Sequence, residues 1–281
     1  MNLLRFSTLS ALLLILVVSG CDNASTDPFD DANIDANEDA AVAIANAVAL
    51  ESGGALDAAA DAVEVAAADA AKSGAGCEYE RSYDEGTQTW TGFVSCEFGS
   101  PERLFYSLFS RTRTYQFLDE SGSPQQYPEN AQALNFAIVD GEGIRQRPGF
   151  SHELLDLGAD LVVEGLGEEL KTVNGTYDRS ATDTLYTRNV ERTLTYDLAL
   201  TFIDVQGAGR VRDGNRPVSG TIEGVYEALH TFSAPDGTRE QTVTREFTIT
   251  FGGGDDRDIT IDIGGDTFLA DLMTGEVEGL D

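Results

Sequence analysis

From residue 77 onward, apolar and polar residues alternate along the chain, which is the period of β-strands that bury one face. The clearest strand covers residues 193–203, and two more cover 221–232 and 242–251. Only a short stretch at 152–157 also fits a helical pattern. Because turn-forming residues separate the strands, we predict a mainly β fold: one large antiparallel meander sheet of about nine to twelve strands, curved or barrel-like since long flat sheets curl.

The turn residues at 233–237 indicate how the second and third of these strands pair. If both apolar faces lie on the same side of the sheet, the numbers of directly opposed residues must sum to an odd value. A sum of 471 sets Ile222 opposite Ile249 and Gly224 opposite Phe247. This register is a specific prediction about the centre of the sheet.

Two cysteines, Cys77 and Cys96, begin and end the stretch CEYERSYDEGTQTWTGFVSC, which has the pattern of a β-hairpin. A turn centred on residues 86–87 sets Tyr83 opposite Trp90 and Cys77 opposite Cys96. Directly opposed Cα atoms lie about 4.5–5.5 Å apart, which is within reach of a disulfide. A metal or redox pair would need a CxxC spacing or a nearby histidine. We therefore predict a Cys77–Cys96 disulfide.

Residues 36–73 are rich in alanine, and their apolar residues recur at steps of three and four, which predicts helices. Ser52-Gly53-Gly54 interrupts the run and indicates a helical hairpin, while Asp57, Asp61 and Glu64 take the face opposite the apolar stripe. A stripe made mostly of alanine is marginal without a surface to pack on. Three arrangements remain open: helices docked on the β domain, a stalk, or a disordered segment.

The first twenty-one residues have the layout of a secretory signal: Arg5, an apolar stretch at 9–18, and a site of small residues. Ten apolar residues rise about 15 Å as a helix, which is half of a hydrocarbon core about 30 Å thick. The stretch is therefore too short to be a good membrane span.

The last four of these twenty-one residues, Val18, Ser19, Gly20 and Cys21, resemble the lipobox of bacterial lipoproteins. The resemblance implies that the Cys21 thiol receives a diacylglycerol, that signal peptidase II cuts after Gly20, and that the freed amine takes a fatty acid such as palmitate. Several acyl chains, at about 0.8 kcal/mol per buried methylene, make a durable anchor. The expected location is the cell envelope, with inner and outer membrane both open.

These patterns divide the chain into four parts. We predict a signal peptide at 1–20, a flexible polar tether at 21–35, an alanine-rich helical segment at 36–75, and an antiparallel β domain at 76–281.

The charge of the chain is strongly negative: 49 acidic residues stand against 18 basic ones, for a formal net charge of −31. Such a surface repels the phosphates of nucleic acids and anionic lipid headgroups, so we expect no nucleic-acid partner and expect the lipid to hold the membrane. The acidity fits either solubility in a salty environment or a face that binds cations or basic ligands.

Candidate chemistry is sparse. His230 and Arg245 occupy the apolar faces of neighbouring predicted strands, where a charge needs a partner, so they form a candidate interior polar site. Residues 252–258 resemble a calcium-binding repeat only superficially and read better as a hairpin loop. No catalytic, nucleotide-binding or metal-binding motif is present, and we expect no cofactor and no bound metal.

The sequence thus favours a lipid-anchored envelope protein with a non-catalytic binding or structural β domain and an unknown ligand or envelope partner. Two alternatives stay open. One is a hydrolase that uses inward-facing carboxylates with His230 or Arg245. The other is a carrier of an apolar ligand inside a barrel.

Overall fold

The structure is a computed structural model that describes residues 36–49, 53–66, 76–186, 190–207, 217–235, 237–252, 258–272 and 277–280. The predicted signal peptide, lipobox and tether lie outside the described residues, and so do residues 253–257 of the candidate calcium loop.

Within the described residues, two α-helices precede a sheet of thirteen β-strands. The helices are α1 (Ala36–Val48) and α2 (Ala55–Ala66). The strands are β1 (Cys77–Asp84), β2 (Thr89–Gly99), β3 (Tyr106–Leu118), β4 (Pro124–Gln125), β5 (Ala133–Arg147), β6 (Phe150–Glu164), β7 (Lys171–Tyr186), β8 (Glu191–Gly207), β9 (Pro217–Ala234), β10 (Gly237–Thr250), β11 (Asp258–Ile263), β12 (Asp266–Asp271) and β13 (Val277–Leu280).

The strands form one antiparallel meander in which neighbours in sequence are neighbours in the sheet, except that the two-residue β4 pairs only with β3. The sheet stays open, because no ladder in the described part of the chain joins β1 to β13. The predicted fold class is confirmed. The strand count exceeds the prediction because the short β4, β12 and β13 carry too few residues to show a period.

Both predicted registers are confirmed. Ile222 lies opposite Ile249, and Gly224 lies opposite Phe247. A Cβ atom on Gly224 would lie 2.5 Å from the ring of Phe247, so the missing side chain makes room for that ring.

The β1–β2 hairpin also follows its prediction. Cys77 lies opposite Cys96, and the two form a disulfide. Tyr83 lies opposite Trp90, with ring centroids 4.9 Å apart. Cross-strand aromatic pairing of this kind stabilises a hairpin.

The stretch at 152–157 is part of strand β6 and is not helical. A β-bulge interrupts the β6–β7 pairing between Leu154 and Asp156. The extra residue shifts the alternation by one position, so Leu154 and Leu157 face the same side. A spacing of three imitates a helix, which explains the ambiguous pattern.

The two helices pack on one face of the sheet, so the docked arrangement is the one observed. Helix α2 contacts β5, β6 and β7, whereas α1 contacts β10 to β13. The two helices together therefore contact strands on both sides of the centre of the sheet. The core lies between the layers and includes the fully buried side chains of Ile44, Leu56, Phe136 and Ile222.

The predicted break between the helices has a structural reason at Gly53. Its φ of 75° is left-handed, and a Cβ atom there would lie 2.5 Å from the ring of Phe109. Its carbonyl oxygen accepts a hydrogen bond of 2.8 Å from the buried Tyr177 hydroxyl on β7. Gly53, just before α2, is therefore fixed to the sheet.

The acidic face of α2 meets buried arginines of β3 rather than open solvent. Arg111 donates to Asp57 Oδ2 over 3.0 Å and to Asp61, and Arg113 donates to Asp61 Oδ2 over 2.7 Å. Burial lowers the pKa of Arg111, but the carboxylates of Asp61 and Asp57 outweigh this effect and raise it, so its side chain stays charged. These ion pairs hold α2 against the sheet.

Candidate binding pocket

A pocket of about 350 Å³ lies between α1 and the neighbouring ends of β5 to β8. Its wall contains four arginines, one histidine and two aspartates, and the rest is mainly apolar. The charged and titratable lining residues are Asp39, Arg145, Arg147, His152, Arg179, Asp183 and Arg192.

Strand alternation and register bring these side chains together. Arg145 near the end of β5 lies opposite His152 on β6, and His152 lies opposite Asp183 on β7. Arg179 precedes Asp183 by four residues and therefore faces the same side of the sheet. Helix α1 covers the pocket along most of its length, through Asp39, Val42, Ala43 and Asn46.

Hydrogen bonds connect the two ring nitrogens of His152 to Arg179 and Asp183. Arg179 lies 3.0 Å from Nε2 of His152, and Nδ1 of His152 lies 2.5 Å from Asp183 Oδ1. Because a guanidinium can only donate, Nε2 accepts, so Nδ1 carries the proton and donates to Asp183. Both ring nitrogens of this neutral tautomer are thus engaged.

Arg179 is the most deeply buried cation of the pocket, with 5% of its surface exposed. Burial lowers its pKa, but Tyr196, Tyr177 and Asp183 beside it outweigh that effect and raise the pKa. Its carbon Cζ lies 5.9 Å from the centroid of the Tyr196 ring. Its Nε has no hydrogen-bond partner among the described residues.

Arg147 is the most accessible cation of the pocket. Its guanidinium lies over the ring of Phe150, with Cζ 4.5 Å from the ring centroid, and its side chain is exposed. No carboxylate in the described ranges pairs with it. Aromatic stacking of this kind orients a guanidinium while leaving its donors available.

The pocket wall carries a positive balance. Four arginines against two aspartates leave +2 when His152 is neutral, in a chain whose formal net charge is −31. The apolar part of the wall comes from side chains such as Leu185, Leu194 and Phe150. The arrangement can hold a ligand that has an anionic group and an apolar body.

The predicted polar residues His230 and Arg245 both lie on the face that the helices cover, but they meet different residues of α1. His230 is 1% exposed, with its Nδ1 3.9 Å from Asp39 Oδ2, and Asp39 also forms an ion pair with Arg192. Arg245 donates from Nε to Asn37 Oδ1 over 2.5 Å.

His230 opposes Gln241, and Arg245 opposes Tyr226, so the pairing does not bring the two together. Neither His230 nor Arg245 lines the pocket. Burial lowers the pKa of His230, Asp39 raises it and Arg192 lowers it, and the net effect is a lowered pKa. His230 is therefore neutral at pH 7 and adds no charge beside Asp39.

Sequence reasoning missed the arginines of the pocket. Arg179 and Arg192 occupy apolar-face positions of their strands, as His230 and Arg245 do, so the same signal marks them. Arg145 and Arg147 stand next to a Pro-Gly turn, where a charged residue reads as solvated.

Two further observations concern membrane-spanning helices and metal sites. In the described stretches, no helix combines the length and hydropathy needed to cross a membrane. The same stretches hold no group of three or more His, Cys, Asp or Glu side chains placed to bind a metal ion. Comparison with known proteins found no matching family model, no similar curated protein and no similar solved structure.

Proposed function

We propose that this protein is a lipid-anchored bacterial envelope protein whose acidic β domain is a non-catalytic binding module for a small organic anion. The observation that carries the binding role is the set of four arginines around one cavity of about 350 Å³ in a chain of net charge −31. The location rests on Val18, Ser19, Gly20 and Cys21, which resemble a lipobox.

The wall chemistry defines the ligand class. Guanidinium groups bind carboxylates, sulfonates and phosphates with paired, charge-assisted hydrogen bonds. Arg147 is exposed and has no carboxylate partner among the described residues, so its donors are accessible to a ligand. Since a water molecule takes about 30 Å³ of liquid volume, the cavity has the volume of about a dozen water molecules.

The state of the histidines supports binding over acid–base catalysis. A general base needs a ring nitrogen within reach of the proton it removes. Both nitrogens of His152 are engaged by Arg179 and Asp183, and His230 is almost completely buried beside Asp39. These contacts favour the binding module over the hydrolase alternative.

The anchor is tested by a Cys21→Ser variant. The account expects the precursor to remain unprocessed, to lose labelling by a fatty-acid analogue and to leave the membrane fraction. Normal cleavage together with retained labelling would contradict the lipobox assignment. This outcome would not bear on the pocket, whose described wall residues all lie between Asp39 and Tyr196.

The pocket is tested with 8-anilinonaphthalene-1-sulfonate, a fluorescent probe with an anionic group and an apolar body. Loss of one exposed charge-assisted contact costs about 1 kcal/mol, so Arg147→Gln should raise the Kd about fivefold. Arg103→Gln is the matched control, because it removes an exposed arginine that does not line the pocket. Near-UV circular dichroism checks that the core stays packed, since loosened cores also bind this dye. Equal Kd values for both variants would contradict the site.

A further inference from the structure

The β2–β3 turn exposes large apolar side chains at one end of the sheet. Phe98, Leu104 and Phe105 are 52%, 71% and 68% exposed, although they lie within eight residues of each other. Gly99, the last residue of β2, has a φ of 86°, and a Cβ atom there would lie 2.4 Å from the Phe105 carbonyl oxygen, so only glycine allows the backbone at the two ends of the turn to come this close. Clustered exposed apolar residues mark interaction surfaces.

Other turns join this patch at the same end. In the antiparallel meander, Tyr106 at the start of β3 pairs with Gln146, and Gln146 pairs with Ser151 at the start of β6. The β5–β6 turn, with the exposed Arg147, therefore lies beside the β2–β3 turn. Strand β7 also ends here, at Tyr186, which is 53% exposed. We call this end, defined by residues 98–105, 147–150 and 186, the apolar end.

The described turns at the two ends of the sheet differ in charge. The apolar end contains two cations, Arg103 and Arg147, and one anion, Glu102, and Glu191 follows at the start of β8. The turns of the opposite end at 84–89, 118–133 and 164–171 contain a single cation, Lys171. Their acidic residues are Asp84, Glu85, Asp119, Glu120, Glu129, Glu164, Glu168 and Glu169. Anionic headgroups repel the acidic end more strongly than the apolar end.

We infer that the apolar end rests on the lipid membrane, with Phe98, Leu104 and Phe105 inserted at the boundary between headgroups and acyl chains. The inference rests on the proposed lipid anchor at Cys21. Aromatic side chains favour that boundary because their rings are apolar and their edges are polarised. An arginine beside them can keep its charge in the headgroup layer while its stem covers apolar surface.

The chain between the anchor and the helices has the right length and starting point. Fifteen residues lie between Cys21 and Asn37, and the sixteen Cα–Cα steps allow a reach of at most about 55 Å. Asp39 on α1 forms an ion pair with Arg192, the second residue of β8, so α1 passes the apolar end near its start. A tether raises the effective concentration of the domain at the membrane, so weak insertion by three side chains is sufficient.

Bromine-labelled acyl chains, which quench tryptophan on contact, provide the test. Phe105→Trp adds a reporter at the apolar end, and Tyr127→Trp adds one at an aromatic position of the opposite end that is 59% exposed. The native Trp90 stays in both variants as a common background, because its ring is packed against Tyr83 and Tyr115. Each full-length lipidated protein is reconstituted into vesicles of brominated phosphatidylethanolamine and phosphatidylglycerol.

The account expects quenching of most of the emission that Phe105→Trp adds, with a shift to shorter wavelength, and no change for Tyr127→Trp. Unquenched emission from Phe105→Trp in protein that floats with the vesicles would overturn the inference. So would a concentration-dependent dimer, seen by sedimentation, that a Leu104→Ser change dissolves, because a second copy would then cover the patch.

A second arm separates this inference from the anchor. A Cys21→Ser protein with a hexahistidine tag ahead of residue 21 is attached to vesicles that contain nickel-chelating lipid. Failure of the untagged protein that keeps Cys21 to float with the vesicles would refute the lipid anchor alone. Quenching of Phe105→Trp in the tagged protein would still support the membrane-facing apolar end, and its absence there would refute it.

Discussion

Replacing Arg111 by methionine tests whether ion pairs hold α2 against the sheet. Arg111 is 6% exposed and donates to both Asp57 and Asp61. Methionine keeps the length and the apolar stem of the side chain but leaves Asp57 without this cation. Asp61 keeps Arg113 as a partner.

The expected cost follows from the burial of the partners. Removing one member of a buried ion pair costs about 3–5 kcal/mol, because the other charge remains desolvated. The side chains of Asp57 and Asp61 are 22% and 16% exposed. Water can reach both carboxylates in part, so we expect a loss of about 2–4 kcal/mol in the free energy of unfolding.

Guanidinium unfolding followed by Trp90 fluorescence and by far-UV circular dichroism measures the loss. Coincident transitions from the two probes are needed for a two-state free energy. A double-mutant cycle of Arg111→Met with Asp57→Asn should give a coupling energy of about 1–2 kcal/mol. Arg103→Met, an exposed arginine, is the control and should change stability by less than about 0.5 kcal/mol.

A loss below about 1 kcal/mol for Arg111→Met, or strict additivity in the cycle, would refute the reasoning. Either result would mean that apolar packing of the alanine-rich stripe is sufficient to hold the helix. The sheet would then need no buried cations for this purpose.

Three further predictions concern single residues. Burial lowers the pKa of His230, so the unfolded state binds more protons than the folded state. The stability of the protein therefore falls as the pH drops below the unfolded pKa of about 6.5. In urea unfolding at pH 5.5 and 7.5, His230→Gln should show a smaller difference in the free energy of unfolding than the wild type. Gly224→Ala puts a methyl group against the Phe247 ring and should cost about 1–3 kcal/mol in thermal unfolding, whereas an unchanged Tm would contradict the packing. Reducing the Cys77–Cys96 disulfide should add two hydrogens to the intact mass and destabilise the domain by about 3 kcal/mol in chemical unfolding, and a reduced protein of equal stability would count against the hairpin as a stabilising element.

Local sequence patterns were sufficient to predict the strand pairing in most of the sheet. Alternation and turn chemistry predict the pairing of Ile222 with Ile249 and of Cys77 with Cys96, because the register of a hairpin depends on its turn and its buried face. The bulge beside Leu154 defeats the same reasoning, since one inserted residue changes the period from two to three.

The pocket depends on contacts that no local pattern encodes. Its side chains come from four strands and from α1, whose Asn46 precedes Arg145, the first strand residue of the wall, by 99 positions. The position of α1 depends on how Asp39 and Asn37 meet cations of the sheet, and an alanine stripe specifies no such contact. Arg179 could have been predicted from the pattern that indicates His230, because both are polar residues on the apolar face of a strand.

The central claim is that the pocket binds an organic anion. Its most direct test compares 8-anilinonaphthalene-1-sulfonate with N-phenyl-1-naphthylamine, which has the same rings without the sulfonate, in fluorescence titrations of the wild-type protein. Charge-assisted contacts of about 1.5–3 kcal/mol predict a Kd at least tenfold lower for the sulfonate, in spite of the overall negative charge. Equal or tighter binding of the neutral amine would contradict the account.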